Sequence, residues 1–168
     1  MPTALVIRPV TATDLPAIGV LIGELGYTAR REGLLATLRP MLEDRRNILL
    51  KGLADELGMV AFMSLSSRPV LRLQGWVGTI EELVVRPDGR DRGFGERMLQ
   101  YAKGLASERG WVRLESVVAR ERESHHRGFL LARGFVQADR VTYRWGLLEG
   151  RHPASPALDR DARTGELV

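Results

Sequence analysis

The order of apolar segments and turn signals predicts a mixed α/β fold built on one sheet. Segments with helical periodicity alternate with strand-like runs near both ends of the chain, whereas the central strands follow one another through hairpins. A doubly wound sheet needs a helix between consecutive parallel strands, so these hairpins exclude it. The 168 residues fit one domain, and 44% hydrophobic residues suffice for its core.

The first half of the chain predicts a strand, two helices and a β-hairpin. Asp14 and Pro16 are residue types that start helices, and Gly26 is one that ends them. The apolar residues between them recur at helical spacing. We expect the strand over residues 5–8, the helices over 11–26 and 32–43, and the hairpin strands over 48–53 and 59–65.

The second half predicts a loop, a long strand and then alternating helices and strands. The long strand runs directly into a glycine-rich turn, and the helix after that turn ends at Gly110. We expect the loop over residues 66–75, strands over 76–85 and 112–118, a short helix over 123–132 and one or two closing strands over 135–147. We expect a domain over residues 1–148 and a flexible or partner-bound tail over 149–168, where prolines and charges replace any apolar period.

The turn between the long strand and the following helix has the features of a phosphate-binding site. Gly93 and Gly95 carry no Cβ, so the backbone can approach a ligand closely. The first amides of the helix have no partner within it, and the helix dipole is positive there. With Arg90, Arg92 and Arg97 these groups would hold a pyrophosphate.

Two known phosphate-binding motifs do not fit this turn, and an ordinary structural role remains open. A nucleoside-triphosphate loop needs Lys and Ser or Thr after its last glycine, and neither follows Gly95. A dinucleotide fingerprint needs a third glycine where Met98 stands. Glycine-rich turns also open helices in plain strand–helix connections, which is the alternative interpretation.

The motif Arg90-x-x-Gly93-x-Gly95 after a strand resembles the acetyl-CoA-binding motif of the Gcn5-related N-acetyltransferase (GNAT) superfamily. The order of elements over residues 5–145 is similar as well. The resemblance implies a single-domain GNAT fold with a mixed, mostly antiparallel sheet. It also implies helices on both faces of the sheet and a V-shaped split between the fourth and fifth strands.

The same resemblance implies acetyl-CoA as the acyl-donor substrate. The pantetheine arm would lie in the split against the main chain of the fourth strand, and the pyrophosphate on amides 90–95. The residues implied in cofactor binding are Leu83, Val84, Val85, Arg90, Asp91, Arg92, Gly93, Phe94, Gly95 and Glu96.

An amine acceptor is protonated near neutral pH, so a carboxylate near the end of the fourth strand is expected as general base. Glu81 and Glu82 are the candidates, and strand alternation sends them to opposite faces unless a bulge intervenes. The family's acidic residue often stands at the position of Glu81, which is therefore the first choice. Many relatives carry a tyrosine acid at the position where this chain has Leu130.

The resemblance implies an acyltransferase that moves an acetyl group to a primary amine of a small molecule by direct attack on the thioester. Peptide or protein N-acetylation and a non-catalytic acyl-CoA-binding module are the alternatives. The loops expected to contact the acceptor supply Tyr27, Arg72 and Trp76, with Arg68 also available. Arg68 and Arg72 would suit an acceptor that carries a carboxylate or phosphonate, and the alternative is that they are solvated loop residues.

Composition narrows the remaining possibilities. The chain has no cysteine, which removes disulfides and thiolate ligands, and no metal is expected. A signal region and a membrane span are not expected, so the cytoplasm is the predicted location. The net charge of +4 is scattered, which argues against nucleic-acid binding. The apolar run over residues 141–148 before the tail suggests a homodimer.

Overall fold

One sheet forms the centre of the computed structural model, which describes residues 4–55, 57–118 and 127–139. Its five strands within those residues are β1 (Val6–Pro9), β2 (Asn47–Ala54), β3 (Gly58–Val70), β4 (Gly75–Val85) and β5 (Arg113–Ser116). They lie side by side in chain order; β1 to β4 are antiparallel, and β5 is parallel to β4. The predicted mixed, mostly antiparallel sheet is confirmed.

The described residues contain three α-helices, α1 (Leu15–Glu24), α2 (Arg31–Glu43) and α3 (Phe94–Glu108). The start of α1 follows a short 3-10 turn in which Asp14 accepts hydrogen bonds from the backbone and hydroxyl of Thr11. Gly26, with a φ of 84°, follows the end of α1 as its sequence position predicts.

The helices cover both faces of the sheet, as predicted. Phe62 and Val84 point from the sheet into a core with Ile18 and Leu38, on what we call the α1/α2 face. Leu65 and Ile80 point the other way and pack with Met98 and Leu99 of α3, on the α3 face. Each face thus has its own apolar core, which fixes which β4 side chains look to which side.

β5 pairs with only part of β4. Pairing runs from Val77–Arg113 to Ile80–Ser116, whereas β4 continues for five residues to Val85. The predicted split between the fourth and fifth strands is therefore present. The last part of β4 is the segment that leads into the glycine-rich turn.

The prediction of a loop over residues 66–75 was wrong. β3 continues to Val70, and a 3-10 turn (Leu71–Leu73) joins it to β4. Pro69 is unusual within a strand because proline cannot donate in a ladder. β2 begins at Asn47, opposite Ser66, so β3 beyond Ser66 has no β2 residue beside it. The Ser67 amide points away from β4 to the Arg46 carbonyl, and by alternation the Pro69 nitrogen faces the same open edge.

The C-terminal elements differ from prediction where they are described. β5 is shorter than the strand expected over residues 112–118. Within 127–132 the expected helix is a series of turns that leads into a 3-10 helix (Leu131–Arg133). Residues 135–139 form no strand, and residues 140–168, which carry the domain boundary and the tail, lie outside the described residues.

Candidate active site

The turn after β4 is held by side chains from two directions. Pro87–Gly89 forms a 3-10 turn, across which Arg86 Nε donates to Asp88 Oδ1 at 2.7 Å. Arg86 Nη1 also donates to the Leu57 carbonyl at 3.1 Å, in the connection between β2 and β3. The guanidinium hydrogen bonds hold the pKa of Asp88 below its usual value. The approach to α3 is therefore anchored to the sheet.

Gly93 is the N-cap of α3 and takes a left-handed conformation with a φ of 78°. Only glycine adopts that conformation without strain. The Arg97 amide makes the bond to the Gly93 carbonyl, at 3.1 Å. The amides of Phe94, Gly95 and Glu96 come before this first hydrogen bond of the helix, so they have no acceptor within it. They form the positive end of the helix dipole.

The three arginines expected to bind the pyrophosphate point in different directions. Arg92 stacks on the Phe94 ring, 5.3 Å from its centroid, and stays at the turn. Arg90 reaches Glu24 of α1 at 3.5 Å. Arg97 points back to β1, where Nη2 donates to the Leu5 carbonyl at 3.1 Å. The sequence did not foresee this structural contact of Arg97.

Two backbone positions of the turn also depart from the expected arrangement. The Arg90 amide, expected among the phosphate donors, donates instead to the Pro87 carbonyl at 3.2 Å. Asp91 has a φ of 58°, and its carboxylate pairs with Arg127 at 2.8 Å. The amides that remain candidate donors are those from residue 91 to residue 96.

Phe129 packs against the start of α3. A Cβ on Gly95 would lie 3.4 Å from Phe129 Cζ and 3.5 Å from Val85 Cγ2, which are ordinary contacts. The Arg133 guanidinium lies 4.1 Å from the Phe129 ring centroid and pairs with Glu96 at 3.1 Å. Sequence reasoning missed this Arg133–Glu96 pair, because its residues are 37 positions apart.

The cofactor-binding residues expected on β4 lie past its pairing with β5. Val84 is buried in the core of the α1/α2 face, and Leu83 and Val85 pack on the α3 face. Their side chains are therefore engaged in the two cores. Only their backbone groups remain to contact a ligand in the split.

A β-bulge brings the two candidate carboxylates together. Ser64 pairs with Glu82 and Leu65 pairs with Ile80, so Glu81 is an extra residue on β4. Ser66 Oγ donates to Glu81 Oε1 at 2.5 Å, and Ser64 Oγ donates to Glu82 Oε2.

The bulge cancels the strand alternation that would otherwise separate Glu81 from Glu82. Ser64 and Ser66 are two residues apart on β3 and share the α1/α2 face with Phe62. Ser64 is 1% exposed, and sequence reasoning missed both serines. The signal available was two hydroxyl residues at alternate positions within an apolar strand.

The three expected acceptor contacts are spread apart. Trp76 shares the α3 face with Gly78 and Ile80 by alternation, so the structure does not bring it together with Glu81 and Glu82. Arg72 lies in the turn at the tip of the β3–β4 hairpin. Tyr27 is half-buried in the connection between α1 and α2.

The family model of the GNAT acetyltransferases matches residues 25–135. The chain belongs to this family. It is 31% identical over 137 residues to an aminoalkylphosphonate N-acetyltransferase of Salmonella typhimurium strain LT2, and the match covers 79% of this chain and 85% of that relative. The protein is thus an acyltransferase of the GNAT N-acetyltransferase family, a family that uses acetyl-CoA.

Solved structures have the same fold. The aminoglycoside 6'-N-acetyltransferase AAC(6')-Ih of Acinetobacter baumannii superposes with a TM-score of 0.72 at 20% identity, covering 86% of this chain and 99% of that one. An aminoglycoside N-acetyltransferase in complex with CoA superposes with a TM-score of 0.73 at 20% identity, covering 88% of this chain and 98% of that one. These similarities establish the GNAT fold for the chain. Within the described residues no helix is long and apolar enough to cross a membrane.

Proposed function

We propose that the protein transfers an acetyl group from acetyl-CoA to a primary amine of a small molecule. One observation carries the proposal: the bulge at Glu81 places two carboxylates on one face of β4. They lie just past the point where β5 leaves β4 and before the helix end that favours anions. The GNAT family membership supports the same reaction.

The donor would bind along the split and the turn. The amides of Asp91 to Glu96 and the Arg92 guanidinium supply hydrogen bonds and positive charge for the pyrophosphate. The main chain of Leu83 to Val85 would receive the pantetheine arm. The donor supplies an acetyl group on a thioester, so no nucleophilic side chain is needed.

The carboxylates would take the proton that the acceptor ammonium must lose before its nitrogen attacks the thioester carbon. Glu81 is exposed and can pass the proton to solvent, whereas Glu82 is half-buried. Glu81 is therefore our first candidate for the base and Glu82 the second. Ser66 and Ser64 hold the two carboxylates on the acceptor side.

The bond between the carbonyl carbon and sulfur breaks as the new amide forms, and a thiolate leaves. Leu130 packs on the core of the α3 face and has no proton to give. A thiol has a reference pKa of about 8.5, so its thiolate leaves without full protonation. We propose that the reaction proceeds without a phenolic acid at that position.

The relatives differ in the acceptors that their names give. One acts on an aminoalkylphosphonate, which carries an anionic group, and others act on aminoglycosides, which carry several amines. These names support a small amine as acceptor but leave its charge open. The homodimer, the cytoplasmic location and the boundary between residues 148 and 149 stay predictions.

The test is turnover of the full chain with acetyl-CoA and a panel of amines, followed by thiol release and by the mass of the product. Amine-dependent thiol release with a product heavier by one acetyl group is expected. CoA binding without acetyl transfer to any amine would contradict the proposal and favour a non-catalytic binding module. Acetylation of peptide N-termini alone would favour the peptide alternative.

A further inference from the structure

Arg68 shares a sheet face with the two carboxylates. β3 pairs regularly with β4 from Leu65–Ile80 to Val70–Gly75, so its side chains alternate without interruption there. Ser64, Ser66 and Arg68 therefore lie on the same α1/α2 face, in a row. Ser66 donates a hydrogen bond to Glu81, and the Arg68 Cα lies about 6.8 Å from the Ser66 Cα along β3.

The Arg68 guanidinium is available for a ligand. It is exposed, and within residues 4–55, 57–118 and 127–139 it makes no hydrogen bond or ion pair. The neighbouring Arg46 differs, because its guanidinium pairs with Asp44 at 2.8 Å. An exposed arginine with both edges open can bind a planar or tetrahedral oxyanion through two hydrogen bonds.

We propose that the acceptor is a small zwitterion, with its ammonium group at Glu81 and Glu82 and an oxyanion, carboxylate or phosphonate, at Arg68. This inference rests on the proposed function. The spacing along β3 suits a short aliphatic linker between the two groups. The arrangement also opposes polycationic acceptors, because a second amine would meet the guanidinium, and repulsion of that kind gives selectivity.

Arg68 differs in position from Arg72 and Trp76, the other acceptor residues that the sequence suggested. Arg72 lies beyond the Val70–Gly75 pair at the hairpin tip, and Trp76 lies on the opposite face. Arg68 alone of the three shares the face of Glu81. The proposal therefore concerns one side chain and is testable by one substitution.

The experiment compares acceptors that differ only in the anionic group: propylamine, 3-aminopropanoate and 3-aminopropylphosphonate, with spermidine as the polycation. The expected kcat/KM is roughly tenfold to a hundredfold higher for the two zwitterions than for propylamine, because hydrogen bonds between charged groups contribute about 1.5–3 kcal/mol. Arg68→Gln should remove that preference mainly through KM. Arg68→Lys should keep part of it.

Arg109→Gln is the matched control, since Arg109 is an exposed arginine at the C-terminal end of α3. It should leave the preference unchanged. Equal kcat/KM for propylamine and the zwitterions, or an equal loss on all acceptors in Arg68→Gln, would overturn the inference and leave the proposed function standing. No turnover with any amine would overturn both.

Discussion

Ser66 Oγ lies 2.5 Å from Glu81 Oε1, although Ser66 is paired in the sheet with Thr79 and not with Glu81. The hydrogen bond exists because Glu81 is the extra residue of the bulge and is displaced toward the serine. A regular β4 would leave Glu81 without this contact. The position of the first candidate base therefore depends on backbone geometry as much as on its own residue type.

We predict that Glu81→Gln lowers turnover most at pH values below the pKa of the acceptor amine. There the amine arrives protonated and needs a base, whereas at high pH it arrives neutral. General-base assistance contributes about 10² to 10⁴ in rate. The measurement is a pair of pH–rate profiles, with Glu82→Gln as the matched control in the same bulge and with acetyl-CoA affinity unchanged in both. If only Glu82→Gln removes the acidic limb, Glu82 is the base.

Gly93→Glu is expected to weaken acetyl-CoA binding by at least about tenfold, because the carboxylate would lie beside the helix amides and repel a pyrophosphate. The left-handed φ of 78° at Gly93 adds strain of about 1–2 kcal/mol to any side chain.

Gly110→Glu is the matched control, since Gly110 has a φ of 63° at the other end of α3 and, like Gly93, open space where a Cβ would lie. Both variants should lose similar thermal stability, and only Gly93→Glu should lose affinity by calorimetry. Equal affinities in the two variants would contradict the phosphate-binding role of the turn.

Gly78→Ala should lower the free energy of unfolding by about 1–3 kcal/mol through overpacking. An added Cβ would lie 2.1 Å from Trp111 Cε3 and Cζ3, and the indole ring cannot move aside as a flexible chain end can. Gly104→Ala, in an exposed position of α3 with open space, is the control and should raise stability by up to about 1 kcal/mol. Denaturant unfolding measures the free energy of unfolding of both variants. Equal values would show that Trp111 can shift to make room for the added Cβ without loss of stability.

The ion pair of Asp14 and Lys51 predicts a dependence of stability on acid pH. Both side chains are only 17% exposed, and the two groups lie 2.7 Å apart. Partial burial raises the pKa of Asp14, but hydrogen bonds from Lys51 and Thr11 outweigh it, so the folded pKa lies below the usual 3.8. The stabilisation is therefore present above pH 3.8 and is lost as pH falls through the folded value.

Asp14→Asn should accordingly cost about 2 kcal/mol at neutral pH and lose less further stability on acidification than the wild type. Asp55→Asn, at an exposed carboxylate, is the control and should leave the wild-type pH dependence intact. Unfolding midpoints between neutral pH and about pH 3 decide the matter. Parallel curves for Asp14→Asn and the wild type would rule out the pair as the source.

The sequence predicted the elements whose residues interact locally. Pro16 and Gly26 bound α1, and Gly93 opens α3, because caps and turns depend on near neighbours. The strand over residues 66–70 was missed because its partner and its open edge at Pro69 are properties of the assembled sheet.

The candidate site was predictable in its residue types but not in its arrangement. Glu81 and Glu82 stood out as adjacent acids, yet only the register with Ser64 and Leu65 shows that they share a face. The pairing of Glu96 with Arg133 and the turn of Arg97 toward Leu5 join distant positions. Charge and spacing alone carry no information about such contacts.

The bonds of Arg86 to Asp88 and to the Leu57 carbonyl have a thermodynamic consequence for ligand capture. The chain between β4 and α3 is already ordered by interactions within the protein, so a ligand need not immobilise it on arrival. Preorganisation of this kind lowers the entropic cost of association. Acetyl-CoA binding should therefore proceed with little backbone rearrangement at the turn, and loosening Arg86 should weaken affinity without removing a single direct ligand contact.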